Sequence, residues 1–185
     1  MPETSSVSET KKAAPSFLTE KLPTLIAITT VILAVCTTLA SFKAAGYGNR
    51  MVLAQSQASD QWAYYQAKSI KETTYQVQRD NISLIVPSPG QEQARTAKLA
   101  EFDKEISRYK AEKKEIMEEA QRLEKERDIA RTFNASFGQS MIFLQIGILF
   151  SSLAAINKNR YYWYLAMASG GAGVAMFVHY LLLTV

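Results

Sequence analysis

One cysteine and one histidine, Cys36 and His179, are all the chain has of the side chains that most readily bind transition metals or pair as nucleophile and base. Cys36 has no second thiol to bond and no histidine close in sequence, so neither an intramolecular disulfide nor a metal site is expected there. It lies in an apolar run and reads as a small buried hydrophobe. His179 lies in another apolar run. A proton relay needs a second titratable partner in the membrane, and no Asp, Glu, Lys or Arg occurs in any of the apolar runs. His179 therefore reads as a side chain that bonds a neighbouring helix near an interface. The same lack of charge argues against a coupled transporter. No Gly-rich phosphate loop, no carboxylate pair in a cleft pattern and no metal-ligand spacing occurs, so no catalytic residue, cofactor or metal site is expected and the protein reads as non-enzymatic. Charge of one sign is scarce as well. The 21 Lys and Arg and 17 Asp and Glu, a net charge of +4, alternate along the middle of the chain. No basic face is left for nucleic acid.

Helix breakers are missing from two long stretches. Neither Gly nor Pro occurs from Asn49 to Asn81 or from Arg95 to Phe137, and both stretches are rich in the helix formers Gln, Ala, Lys and Glu. In the second, Leu99, Phe102, Ile106, Tyr109, Ile116, Ala120, Leu123, Ala130 and Phe137 recur at steps of three and four. That is the heptad spacing of a coiled-coil seam. Lys113 and Arg127 fall on the same stripe, and a seam cation calls for a shallow seam, a neighbouring carboxylate or a wet interior. The first stretch carries a looser stripe that includes Trp62, Tyr65, Ile70 and Val77. Gly46 and Gly48, just before it, allow a bend. Between the two stretches, the ISLIVPSPG segment from Ile82 to Gly90 stops the helix and turns the chain.

What remains is three charge-free windows, at residues 22–42, 136–156 and 161–184. A bilayer core about 30 Å thick takes about 20 apolar helical residues, and each window supplies them. Threonines in the first can bond back to their own helix carbonyls, so they do not veto a span. That run exceeds a usual signal-peptide core and reads as an uncleaved anchor. Residues 1–21 are polar, with prolines, and read as a disordered or interfacial tail. Tyr161, Tyr162, Trp163 and Tyr164 open the third span with an aromatic cluster suited to the headgroup level. In the second and third spans Gly147, Ser151, Ala166, Ser169, Gly170 and Gly173 form small-xxx-small pairs, which let membrane helices pack closely.

The expected fold is an all-α membrane protein: three transmembrane helices, with a long antiparallel coiled-coil helical hairpin, residues 43–135, between the first and second and its turn at 82–93. The two arms are nearly equal, each about 60 Å long. Partners at equal height then have residue numbers that total roughly 178. That rule sets Trp62 and Tyr65 against Ile116 and Lys113, Ile70 near Tyr109 or Arg108, and Tyr75 and Val77 near Phe102. The expected hairpin core is Trp62, Tyr65, Ile70, Val77, Phe102, Tyr109, Ile116 and Leu123. Ile82, Leu84, Ile85 and Val86 cluster at the turn. A lone tip has little against which to bury them, so they are candidate contacts with other copies or with a partner protein. The alternative is that they fold back over Ala94, Ala97 and Leu99. Lys11, Lys12, Lys21, Lys158 and Arg160 favour a cytoplasmic tail and tight turn, with the hairpin and C-terminus outside.

The segment Ala58–Lys71, ASDQWAYYQAKSIK, with the later GQSMIFLQIGILFSSLAAI and a Trp-containing third span, resembles an uncharacterised family of bacterial membrane proteins catalogued as domain of unknown function 4337. The resemblance implies a bacterial inner-membrane protein with this three-span layout and implies no activity; the periplasmic placement of the hairpin is what the Lys and Arg positions favour. The partners expected are the lipid bilayer, further copies of the chain and an unidentified protein. The expected function is that of a self-associating scaffold or assembly component, acting through the hairpin and the small-residue membrane helices. A homo-oligomeric pore lined by Thr29, Thr30, Thr37, Thr38, Gln145 and Ser151 is the alternative.

Overall fold

Long runs without helix breakers give long helices. A computed structural model describes residues 17–184, with side chains from 21 onward, and holds α1 (Phe17–Leu84), α2 (Glu92–Asn157) and α3 (Arg160–Leu182). The protein is all-helical, and no strand occurs among the described residues. Three of its helical stretches are long and apolar enough to cross a membrane. Residues 1–16 of the expected tail lie outside the described residues, whereas residues 17–21 belong to α1.

The helix bounds depart from the sequence reading in three places. First, α1 runs without a break through Gly46 and Gly48. Close approach explains Gly48: a Cβ there would come within 3.1 Å of Asn134 Nδ2, and that amide donates to the Ala44 carbonyl at 2.7 Å. Second, α2 begins at Glu92, earlier than Arg95. Arg95 instead closes the end of α1. Its guanidinium donates to Ile82 O at 3.2 Å and to Ser83 O at 2.6 Å, satisfying carbonyls that a helix end leaves without partners. Third, the connection before α3, expected over residues 157–160 between the second and third windows, is only Lys158 and Asn159. Lys158 takes a left-handed φ of 49°, and Asn159 caps α3 by accepting the Tyr161 N–H at 3.0 Å.

The chain divides into two compact units, one made of residues up to Phe42 with those from Ser136 onward, the other of Lys43–Ala135. In the first unit α1 buries Ile26, Leu33 and Ala40, α2 buries Phe137, Ser140, Leu144, Gly147, Ser151 and Ala154, and α3 buries Ala166, Gly170, Gly173 and Phe177. Steps of three, four and seven keep each set on one helix face. Phe137 packs edge-on against Phe177, with ring centroids 6.0 Å apart.

In the Lys43–Ala135 unit, later residues of α1 meet earlier residues of α2. Tyr47 packs on Phe133, Gln55 accepts from Arg127, and Lys68 pairs with Glu112. Tyr75 packs on Phe102 and Tyr109, and Arg79 pairs with Asp103. The α2 stripe of Phe102, Ile106, Tyr109, Ile116, Ala120, Leu123 and Ala130 is buried. Opposite it α1 buries mostly small or polar side chains: Ala54, Ala58 and Glu72.

Candidate assembly surfaces

Within the Lys43–Ala135 unit, the expected core residues separate into two groups. Phe102, Tyr109, Ile116 and Leu123 are buried, and Trp62 and Tyr65 are half-buried. Ile70 and Val77 are not core residues: they are 68% and 53% exposed. The inner face of α1 passes through Tyr65, Glu72 and Tyr75, and a residue two positions from Glu72 points about 200° around the helix. The register also differs for Trp62. Its indole Nε1 donates to Glu124 Oε1 at 3.0 Å, about two turns beyond the Ile116 expected opposite it.

The seam cation Lys113 has a carboxylate partner. Its Nζ lies 2.7 Å from Glu72 Oε2, and the two side chains are 18% and 8% exposed. Lys113 Nζ also lies 3.4 Å from Ser69 Oγ and over the Tyr65 ring. Gln76 donates to the other carboxylate oxygen at 3.1 Å. The ammonium approaches Oε2 off the direction of a well-aligned hydrogen bond, and no other donor reaches that oxygen. Contact with Glu72 holds the Lys113 pKa above the ordinary 10.5, against the opposing effect of burial.

At the turn, the four apolar residues part company. Ile82 is half-buried and lines a hollow together with Ile85, Pro87, Gln91, Ala94 and Arg95. Leu84 is 82% exposed, Val86 is 88% exposed, and Ile85 is exposed beside them. Within one chain the turn thus covers one of its four apolar residues.

In the other unit, the small residues are occupied inside the chain. A Cβ on Gly147 would come within 2.9 Å of Gly170 Cα, and one on Gly173 within 2.9 Å of Leu144 N. Ser151 Oγ lies 2.7 Å from Thr30 Oγ1. Ser169 donates to Phe143 O at 2.9 Å, and Ala166 is fully buried. These positions pack the helices of one copy against each other; Ser169 is half-buried and the other five are buried. The pore candidates are scattered. Thr37 donates to Leu33 O at 2.7 Å, and Thr29 accepts the Trp163 indole N–H at 3.2 Å. Thr38 and Gln145 are exposed. His179 is exposed with its ring against Tyr180, and Cys36 is half-buried. The Trp163–Thr29 bond and the Arg95 cap have no sequence signature, because each depends on which helices become neighbours.

An all-helical chain with three helices long and apolar enough to cross a membrane defines the class. Within it the chain belongs to the family described as Domain of unknown function (DUF4337), whose profile it matches over residues 22–183. No curated protein and no solved structure matches it.

Proposed function

We propose that the chain is a non-enzymatic integral membrane protein whose residues 43–135 form an antiparallel coiled-coil hairpin that joins copies of the chain into a scaffold. The observation that carries this reading is the exposure of Leu84, Ile85 and Val86 at the turn between the helices. Adjacent large apolar side chains left bare in one chain call for cover by another. The mixed-sign surface of α2, with its intrahelical pairs such as Arg122 with Glu119 and Glu126, keeps the remaining faces in water. A bacterial inner-membrane location with the hairpin outside follows from the family resemblance and the Lys and Arg placement.

The test is the mass of the detergent-solubilised particle, measured for the natural protein and for Leu84→Asp with Ile85→Asp. A multimer that loses mass while keeping its helicity supports the reading. A natural protein that is monomeric in both detergent and lipid overturns it. A homo-oligomeric pore is the second reading, favoured by Thr38 and Gln145, polar side chains exposed within the charge-free stretches 22–42 and 136–156. Single-channel conductance after reconstitution would select it over the scaffold.

A further inference from the structure

The α1 helix of the Lys43–Ala135 unit carries two stripes, and its contacts with α2 use only one. The second is Ala67, Ile70, Thr74, Val77, Asn81 and Leu84. Its steps alternate three and four, and every member is exposed. Large aliphatic residues hold one set of alternating positions and Ala, Thr and Asn the other. A shallow groove runs beside it, lined by Ser69, Ile70, Thr73, Thr74, Val77 and Gln78. Heptad spacing specifies a helix as the occupant, because only a helix presents knobs at the matching interval.

We infer that this stripe is the face on which the same α1 stripe of a second copy docks, parallel and in register. The inference rests on the membrane reading above, which makes all copies point the same way. Three features select a second copy. At a symmetric seam each residue meets its own counterpart, and no member of this stripe is charged, so none repels itself. Thr74 and Asn81 are self-complementary, since each side chain both donates and accepts. Thr74 donates to Ile70 O at 2.9 Å within its own helix, so across the seam one of the two hydroxyls turns from that carbonyl to donate to the other. A polar Asn at one inner position of a parallel pair fixes register, which an all-aliphatic stripe would not. In the flanking positions a parallel pair would set Gln66 beside Lys71 and Thr73 beside Gln78. No two like charges meet. The outward faces of α2, by contrast, carry Glu, Lys, Asp or Arg at most turns, so α2 of another copy does not fit the stripe. Leu84 is also one of the bare residues at the turn, so the stripe ends at the turn's exposed apolar residues.

The test uses the full-length protein with Cys36→Ser as background, reconstituted in phospholipid vesicles. Single cysteines are placed at Ile70, Thr74 and Val77 on the stripe, and at Lys110 and Glu118 on the exposed side of α2. Mild oxidation should give a disulfide-linked dimer at the three stripe positions, several-fold more than at the two controls. Equal linkage everywhere, or more at Lys110 and Glu118, overturns the inference. A second variant, Ile70→Glu with Val77→Glu, alters side chains exposed in a single chain, so helicity should persist while particle mass falls by half or more. Unchanged mass in a helical variant overturns the inference, and if the variant fails to fold the cysteine comparison decides alone. A multimer whose linkage and mass ignore the stripe defeats this inference and leaves the scaffold reading standing. A monomeric natural protein defeats both.

Discussion

Lys113 and Glu72 face each other between α1 and α2, 2.7 Å from Nζ to Oε2, with Tyr109 and Ile116 buried about one turn to either side on α2. Burying two charges costs desolvation, which their attraction offsets only while both are present. Lys113→Met should leave the Glu72 carboxylate with no cation and lower stability by about 1–3 kcal/mol, toward the low end because a two-helix layer lets water close. Lys113→Met with Glu72→Leu should recover most of that loss. Thermal unfolding followed by far-UV circular dichroism reads both variants. A double variant no more stable than the single one would show that the pair is not coupled.

That pair also marks the limit of what the sequence reveals. The α2 stripe is legible because large apolar residues occupy it at heptad spacing while Glu and Lys fill the other faces. The inner face of α1 is not, because it is built from Ala54, Ala58 and Glu72, none of which advertises burial. Glu72 goes inside only because Lys113 waits on the other helix. Ile70 and Val77 look like core by hydrophobicity yet lie on the second stripe, and no single-helix pattern distinguishes two competing faces. Small-xxx-small spacing points to close helix packing at Gly147 and Gly170. Whether the neighbour is the same chain or another copy is a tertiary question. Gly48 misleads for a related reason: a missing Cβ permits a bend but equally permits the Asn134 side chain to come close.

Acid should loosen the Lys43–Ala135 unit through its paired carboxylates. A hydrogen bond from Lys68 holds the Glu112 pKa below its ordinary 4.5, against a smaller opposing effect of burial. Arg122 lowers Glu119, and Arg127 lowers Asp128, in the same way. A carboxylate lowered by folding stabilises above its unfolded pKa, and that contribution disappears as pH falls through the lowered value. Stability should therefore be level near neutral pH and decline below about pH 4.5. Lys68 and Lys113 are raised from 10.5, so their share is complete below that value and is lost as pH climbs through the raised one. The Glu119 and Asp128 carboxylates are open to water and Glu112 is half-buried, so the acid decline should be shallow and weakened by salt. Glu112→Gln should flatten it further, and an unchanged pH profile in that variant would count against the assignment.

The glycines of the other unit should differ in what a methyl group does to them. At Gly173 an added Cβ would meet Leu144 N at 2.9 Å and Ser140 O at 3.0 Å. Both are backbone atoms of a helix and cannot step aside. At Gly170 it would come within 2.6 Å of the Leu33 side chain, and at Gly171 it would meet nothing within 4 Å. Gly173→Ala should thus cost about 1–3 kcal/mol by overpacking. Gly170→Ala should be rescued by Leu33→Ala, and Gly171→Ala should leave the thermal midpoint in detergent unchanged. If Gly171→Ala is as damaging as Gly173→Ala, α3 packs through a different face.

Sidedness is the last property to be tested. Lys158 and Arg160 flank the tight connection between α2 and α3, and short loops weigh most in the positive-inside rule. Lys158 adopts a left-handed φ of 49°, a conformation in which Gly or Asn is more comfortable. A lysine held there keeps a positive charge in a loop that a neutral residue would close with less strain. The expectation is that this loop stays cytoplasmic and the turn near Ser88 lies outside. With Cys36 replaced by Ser, a cysteine at Asn159 should be protected from an impermeant thiol reagent in intact cells and become reactive after lysis. A cysteine at Ser88, which is exposed, should react without lysis. The opposite pattern would reverse the orientation and leave the helix pairing within the Lys43–Ala135 unit intact, because that pairing depends on contacts inside the unit. Lys158→Gly offers a separate check. It should raise the thermal midpoint slightly by relieving the backbone, and weaken the bias of the labelling pattern by removing one of the charges that sets it.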